Sequence, residues 1–214
     1  MKTVIFDLDG TLLDTVDDLK DSINAMLTQF GYPTLTKEQV KRTIGSGAKR
    51  LVADSLPEKV SEERLDECLA VYSRIYYSSG SPKTKLFGGM GEVLTELKAR
   101  GYKLAVLSNK PQKSTDQVCG KYLNGFAFDM IVGQSESVKC KPDPAGTLYI
   151  MRTLGAKKEE TFLVGDGETD VLTAIKAGVN GIGALWGNRT KSDLAAAGCK
   201  TFVSSPYELL KILL

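Results

Sequence analysis

A chain of 214 residues, 42% hydrophobic and 25% charged, can bury a sizeable core as one large domain or as one domain carrying an insert. Its 28 basic and 26 acidic residues leave a formal charge of +2, spread without any basic block, which argues against a nucleic-acid partner. Histidine is absent, which excludes a histidine base, nucleophile or metal ligand and leaves acid–base work to Asp, Glu, Lys, Tyr or Cys.

The chain opens on an apolar run, Val4-Ile5-Phe6, that passes into Asp7-Leu8-Asp9-Gly10-Thr11. This reads as a short strand leaving its sheet at Gly10. Val16, Leu19, Ile23, Met26, Leu27 and Phe30 then recur at three- and four-residue steps, predicting an amphipathic helix that ends at 31–33. Thr36 with Gln39 has capping-box spacing ahead of Val40 and Ile44. Gly45-Ser46-Gly47 interrupts, a short helix carries Leu51, Val52 and Leu56, and Ser61 caps a longer one with Leu65, Cys68, Leu69, Tyr72, Ile75 and Tyr76 on one face. Residues 15–81 thus read as a helical bundle without a strand, closed by a polar linker at 78–82.

From Leu86 onward helices and strands alternate. A helix through Val93, Leu94 and Leu97 stops at Gly101, and a strand over 103–107 ends in Ser108-Asn109-Lys110-Pro111. A helix through Val118 and Tyr122 follows, then a strand over 130–132 and a helix through Leu148, Met151 and Leu154 ending at Gly155. A strand over 161–164 runs into Gly165-Asp166-Gly167-Glu168-Thr169-Asp170; a helix to about Gly178, a strand over 182–186, Phe202-Val203 and a helix from Pro206 complete the chain. The pattern predicts an α/β fold with a doubly wound parallel sheet. Residues 1–14 and 82–214 are expected to form the α/β core and 15–81 an inserted helical domain. Cys68, Cys119, Cys140 and Cys199 lie far apart with no Cys-x-x-Cys, so a reducing cytoplasm is expected. No stretch has the length of a membrane span, and no targeting signal is read.

Strand ends in a parallel sheet open on one edge, where such sheets bind ligands. That edge would gather Asp7 and Asp9, Ser108 and Asn109, and Asp166 and Asp170, with Lys141 of Lys141-Pro142-Asp143-Pro144 reaching in from the side. Carboxylates so close repel unless a proton or cation sits among them, and oxygen ligands suit Mg²⁺. Taken singly, each has an ordinary reading: an Asp-Gly turn, a helix N-cap, a solvated lysine, an acid in a helix's first turn. Their coincidence is what carries weight.

With these residues in order, the chain resembles the haloacid dehalogenase superfamily of phosphotransferases over essentially its whole length. The Asp-x-Asp-Gly-Thr signature is Asp7 to Thr11, the strand-end hydroxyl Ser108, the lysine Lys141 and the Gly-Asp-x-x-x-Asp motif Gly165 to Asp170. The helical insert matches the family's mobile cap of the first type. Ile44-Gly45-Ser46-Gly47-Ala48, Ser108-Asn109-Lys110-Pro111 and Lys141-Pro142-Asp143-Pro144 look most like its phosphoglycolate phosphatases. The resemblance implies Asp7 as nucleophile forming an aspartyl-phosphate, Asp9 as acid and base, and Ser108 and Lys141 holding the transferring phosphoryl group. It implies Mg²⁺ at Asp7, the main-chain carbonyl of Asp9 and Asp166, with Asp170 steering Lys141 or a bound water. Thr11, Asn109, Gly45 and Gly47 are expected to contact substrate, Gly45 and Gly47 by offering backbone N–H groups at a helix start; a tight interhelical turn is the plainer reading of those glycines. Lys49 and Arg50 read as a solvated helix face. Gly167 departs from the family, which more often places Ser or Thr there, so tuning is expected.

The expected partner is a small phosphorylated metabolite, first 2-phosphoglycolate, with no nucleic acid or membrane, acting on a monomer or weak homodimer. A sugar phosphomutase, a pyrophosphatase or a nucleotidase of the superfamily is the alternative. A phosphoacceptor switch is disfavoured because receiver domains carry no such helical insert.

Overall fold

A computed structural model describes residues 2–214; the first residue of the expected core segment lies outside them. Its centre is β1 (Thr3–Phe6), four residues without solvent contact on either face, hence an uninterrupted apolar run where half-exposed strands alternate. Val4 and Phe6 pack into one core layer and Ile5 into the other, the period of two sending neighbours to opposite sides of the sheet.

After a two-residue strand β2 (Leu13–Asp14), four helices follow: α1 (Val16–Gln29), α2 (Lys37–Thr43), α3 (Ala48–Ser55) and α4 (Glu62–Ser79). They bury a separate cluster containing Ile23, Met26, Leu27, Val40, Val52 and Cys68. Both caps read from sequence are present: Thr36 and Gln39 bond reciprocally at α2, and the Ser61 hydroxyl accepts from Arg64 N at α4. The chain returns through β3 (Lys85–Leu86), which pairs antiparallel with β2, a ribbon too short to leave a periodic signal. Buried Asp18 ties this crossing together, accepting from Lys83 N at 3.0 Å and Thr84 Oγ1 at 2.7 Å. The polar connection begins later than its composition suggests, because α4 runs to Ser79 and ends on left-handed Gly80.

The rest supplies α5 (Met90–Ala99), β4 (Lys103–Pro111), α6 (Gln112–Tyr122), β5 (Met130–Gln134), α7 (Ala145–Leu154), β6 (Thr161–Gly165), α8 (Glu168–Ala177), β7 (Asn180–Ala184), α9 (Lys191–Ala196), β8 (Phe202–Val203) and α10 (Glu208–Leu213). The sheet has six strands in the order β5-β4-β1-β6-β7-β8, paired in parallel throughout. β4 runs on to Pro111, so Ser108 and Asn109 lie in a strand and the residue capping α6 is Pro111. β7 covers 180–184, two residues earlier than expected, because Ile182 is the one β-branched residue in Asn-Gly-Ile-Gly-Ala and the two glycines around it give the strand no period. The sequence reading missed α9: one buried residue, Leu194, gives no period, although Thr190 and Asp193 form a capping box.

The register positions the chemistry. Phe6 lies level with Val106 on one side and Val164 on the other, so the residues that follow on all three strands emerge together at the carboxyl edge. From β1 the chain builds the sheet first to one side, through β4 and β5, and then to the other, through β6, β7 and β8, which makes this the topological switch point.

Candidate active site

Asp7 leaves β1 with its amide still bonded to Val164 O at 2.9 Å, and its side chain is buried in the crevice. The chain then turns tightly: Gly10 N donates to Leu13 O at 2.8 Å with Gly10 at φ +91°. A Cβ at Gly10 would stand 2.3 Å from Asp166 Oδ2. Glycine is required there for both reasons.

Lys141 reaches the same point from the loop between β5 and α7. Its Nζ donates to Asp7 Oδ1 at 2.6 Å, Asp170 Oδ1 at 2.6 Å and Leu107 O at 2.9 Å, which uses all three ammonium donors. Burial alone would push this ammonium toward the neutral amine, but Asp170 and Asp7 more than offset it and its pKa is raised. Asn109 holds the lysine in place: its Oδ1 accepts from Lys141 N at 2.6 Å while its Nδ2 donates to Lys141 O at 3.0 Å and to Gly45 O at 2.8 Å. Ser108 Oγ, also buried, accepts from Lys110 N at 3.2 Å.

Asp166 and Asp170 flank the start of α8. Asp166 accepts from Thr11 Oγ1 at 3.1 Å and from Asn188 N at 2.7 Å; Asp170 Oδ2 accepts from Gly167 N at 3.1 Å, where helix-terminal N–H groups favour an anion. Asp7, Asp166 and Asp170 each present an oxygen within 4.8 Å of the others. Burial, and then the neighbouring carboxylates, push Asp7 well above the usual carboxylate range despite Lys141. Burial and Asp170 likewise push Asp166 up to about 6 against the Asn188 and Thr11 hydrogen bonds. Counting Asp9, four carboxylates stand against Lys141 and Lys110. This oxygen-rich, under-neutralised set fits a hard divalent cation such as Mg²⁺.

Asp9 stands apart from the cluster. Its Oδ1 accepts from Thr15 Oγ1 at 2.7 Å and its Oδ2 faces Lys110 Nζ at 3.2 Å, beside the cavity between sheet edge and helices. Gly45 and Gly47 line that cavity, whereas Thr11 is fully buried, its hydroxyl on Asp166 and its carbonyl on Trp186 Nε1. Lys49 pairs with Glu62 and Asp66, and Arg50 with Asp54, all on the exposed helical surface. A Cβ at Gly167 would meet Asp170 Oδ2 at an ordinary 3.4 Å, so the backbone has room for a larger residue there.

Sequence reasoning missed three cavity residues. Lys110 lies over the Tyr76 ring at 4.6 Å, 3.2 Å from its hydroxyl, with both asparagine-flanked motif and cap contributing to its burial. Burial would lower its pKa, yet Asp9 and the Tyr76 and Tyr72 hydroxyls raise it overall. Tyr72 and Tyr76 read as core residues of α4 and are so, but they also form the cavity wall. Only the position of Lys110 beside Ser108-Asn109 pointed to it.

The family model of haloacid dehalogenase-like hydrolases matches residues 4–184. The chain is 36% identical over 183 residues to Phosphoglycolate phosphatase 1 of Pseudomonas aeruginosa, covering 83% of this chain and 67% of that protein. It is 29% identical over 218 aligned positions to a phosphoglycolate phosphatase of Vibrio parahaemolyticus, covering 99% and 96% of the two. A solved structure of a candidate phosphoglycolate phosphatase from Lactobacillus delbrueckii superposes with a TM-score of 0.94 at 29% identity, covering 100% of this chain and 99% of that one. With the model matching residues 4–184, the chain belongs to the haloacid dehalogenase-like hydrolases.

Proposed function

We propose that this phosphatase hydrolyses a small phosphate monoester, 2-phosphoglycolate first, through an aspartyl-phosphate on Asp7 and with Mg²⁺ as cofactor. The observation that carries the reading is the ammonium of Lys141 fastened between Asp7 and Asp170 in a buried crevice. With one Asp7 oxygen committed to Lys141, the other is the nucleophile: it bonds to phosphorus as the ester P–O bond breaks, and Asp9 gives a proton to the departing oxygen. Water then attacks the same phosphorus, Asp9 takes its proton, and phosphate leaves as the Asp7 carboxylate is restored. Ser108 holds a transferring oxygen, while Lys141, its three donors on Asp7, Asp170 and Leu107 O, adds positive charge beside the phosphoryl group. Asp7, Asp166 and the main-chain carbonyl of Asp9 would hold Mg²⁺, with Asp170 acting beside them; the ion would neutralise the charge between nucleophile and phosphate.

The apolar wall of Leu19, Ile44 and Tyr72 over the crevice leaves room for a small leaving group and shields the reaction from water. The names of the relatives favour phosphoglycolate. The cysteines are free, and no helix among the described residues is long and apolar enough to cross a membrane; a cytoplasmic monomer or weak homodimer is the setting we infer. The test is phosphate release from 2-phosphoglycolate, sugar phosphates, nucleotides, pyrophosphate and p-nitrophenyl phosphate, with Mg²⁺ or EDTA, for wild type and Asp7→Asn. Magnesium-dependent turnover lost in Asp7→Asn is expected. Retention of turnover by that variant, or phosphate trapped once per chain, would overturn the mechanism.

A further inference from the structure

The helical insert meets the sheet edge largely through main-chain carbonyls. Arg189, in the loop after β7, donates from Nη1 to Lys41 O at 2.8 Å and from Nη2 to Arg42 O and Ile44 O, each at 3.0 Å. These carbonyls belong to the end of α2 and the residue that caps it, where acceptors lack intrahelical partners and partial negative charge collects. Glu168 faces Arg189 Nε at 3.0 Å, turning the guanidinium so that its two outer nitrogens point at the helix end. A planar, always-charged fork suits this task in a way a lysine does not.

The grip has a second anchor one residue away, where Gly45 O accepts from Asn109 Nδ2 at 2.8 Å and Thr169 Oγ1 at 3.4 Å. Each core residue in this grip adjoins the acidic crevice. Asn188 N, next to Arg189, donates to Asp166 Oδ2; Asn109 follows Ser108 and braces Lys141; Thr169 precedes Asp170. Gly45 itself and Gly47 line the cavity, and α3 follows them.

We propose that Arg189 is a positioning residue: a latch, oriented by Glu168, that seats residues 41–47 over the crevice and so sets the shape of the closed substrate site. Its targets are backbone carbonyls, so the latch acts whatever side chains the insert carries. It touches neither the phosphoryl group nor the nucleophile. It acts by keeping the Ile44–Gly47 wall in place.

The experiment compares hydrogen exchange in wild type, Arg189→Met and Arg189→Lys without substrate, which makes it independent of the phosphatase reading. In Arg189→Met, amides over 41–50 should exchange at least about tenfold faster while those of β4 keep their rates, with Arg189→Lys in between because a single ammonium replaces the fork. Unchanged exchange over 41–50, or equal acceleration in β4, would overturn the latch, the second result marking a general brace. If Arg189→Met does not fold, Glu168→Gln keeps the guanidinium but loosens its aim, and a smaller acceleration in the same segment is required. With an ester identified, KM should rise severalfold in Arg189→Met with kcat changed less; a fall in kcat at constant KM would contradict the assignment.

Discussion

Replacing Lys141 with Met removes the one ammonium that touches both Asp7 and Asp170 and leaves its volume largely filled. Three carboxylate groups with oxygens within 4.8 Å of one another then face each other in a buried crevice. Removing one partner of a buried ion pair typically costs about 3–5 kcal/mol, because the remaining charge is uncompensated. At roughly 2–4 °C per kcal/mol for a chain of this size, the melting temperature should fall by roughly 6–20 °C. The loss must depend on pH in a definite direction. Lys141 lowers the Asp7 pKa, which burial nonetheless keeps well above the carboxylate range, so without the lysine it rises further. A carboxyl whose folded pKa exceeds its unfolded one carries a penalty that grows as pH rises toward the folded value. Wild type shares it up to its own folded pKa, so the extra loss opens only above that point. Lys141 also holds down Asp166, which stands at about 6, and the loss therefore widens as pH passes about 6. Urea unfolding in EDTA should therefore show a larger loss at pH 8 than at pH 5. A loss below about 1 kcal/mol at pH 8, or the same loss at both pH values, would refute the reasoning.

Asp166→Asn tests the same electrostatics from the other side. With the native pKa at about 6 and a reference value of 3.8, wild type binds the extra proton when folded, so this group's contribution to stability falls as pH rises between those values. Relative to wild type in EDTA, Asp166→Asn should gain up to about 3 kcal/mol between pH 4 and 7; no gain, or a loss, contradicts the assignment. Gly10→Ala combines a positive φ with a Cβ 2.3 Å from Asp166 Oδ2, and should cost upward of about 2 kcal/mol in thermal unfolding while weakening Mg²⁺ binding in calorimetry. An unaltered melting curve would show that the turn relaxes. Gly47→Val places a side chain 3.3 Å from Asn109 O and Cys140 Sγ at φ +89°, displacing the cavity wall. KM for 2-phosphoglycolate should rise at least about threefold more than for p-nitrophenyl phosphate, by the same logic that makes one misplaced contact cost 1–3 kcal/mol; equal effects on both would sink the role of that loop.

The elements that depend on local chemistry were legible in the sequence. The caps at Thr36 and Ser61, the left-handed stops at Gly155 and Gly178, and the apolar period of α1 each follow from groups within one or two turns of each other, and the structure has them where that pattern puts them. Parallel strands alternating with helices imply a common carboxyl edge, so Asp7, Ser108 and Asp166 could be assigned to one crevice before any distance was known. What depends on a few residues meeting across the fold left no such trace. The β2–β3 ribbon pairs two residues with two, and α9 buries one leucine.

The residues that complete the site are of this second kind. Thr11 and Asn109 carry motif positions, yet only the packed structure shows the first propping Asp166 and the second clamping Lys141 to the Gly45 loop. Arg189 sits in no motif, and its partners at residues 41–44 lie some 145 positions away. By itself the sequence singled out the candidate chemical groups, because carboxylates and a hydroxyl at strand ends, with a lysine in a neighbouring loop, are marked by residue type alone. The tertiary structure decided which groups hold them and how the insert closes over them. Those tasks need only a donor within hydrogen-bond distance, and proximity across the fold is set by packing, not by neighbours in the chain.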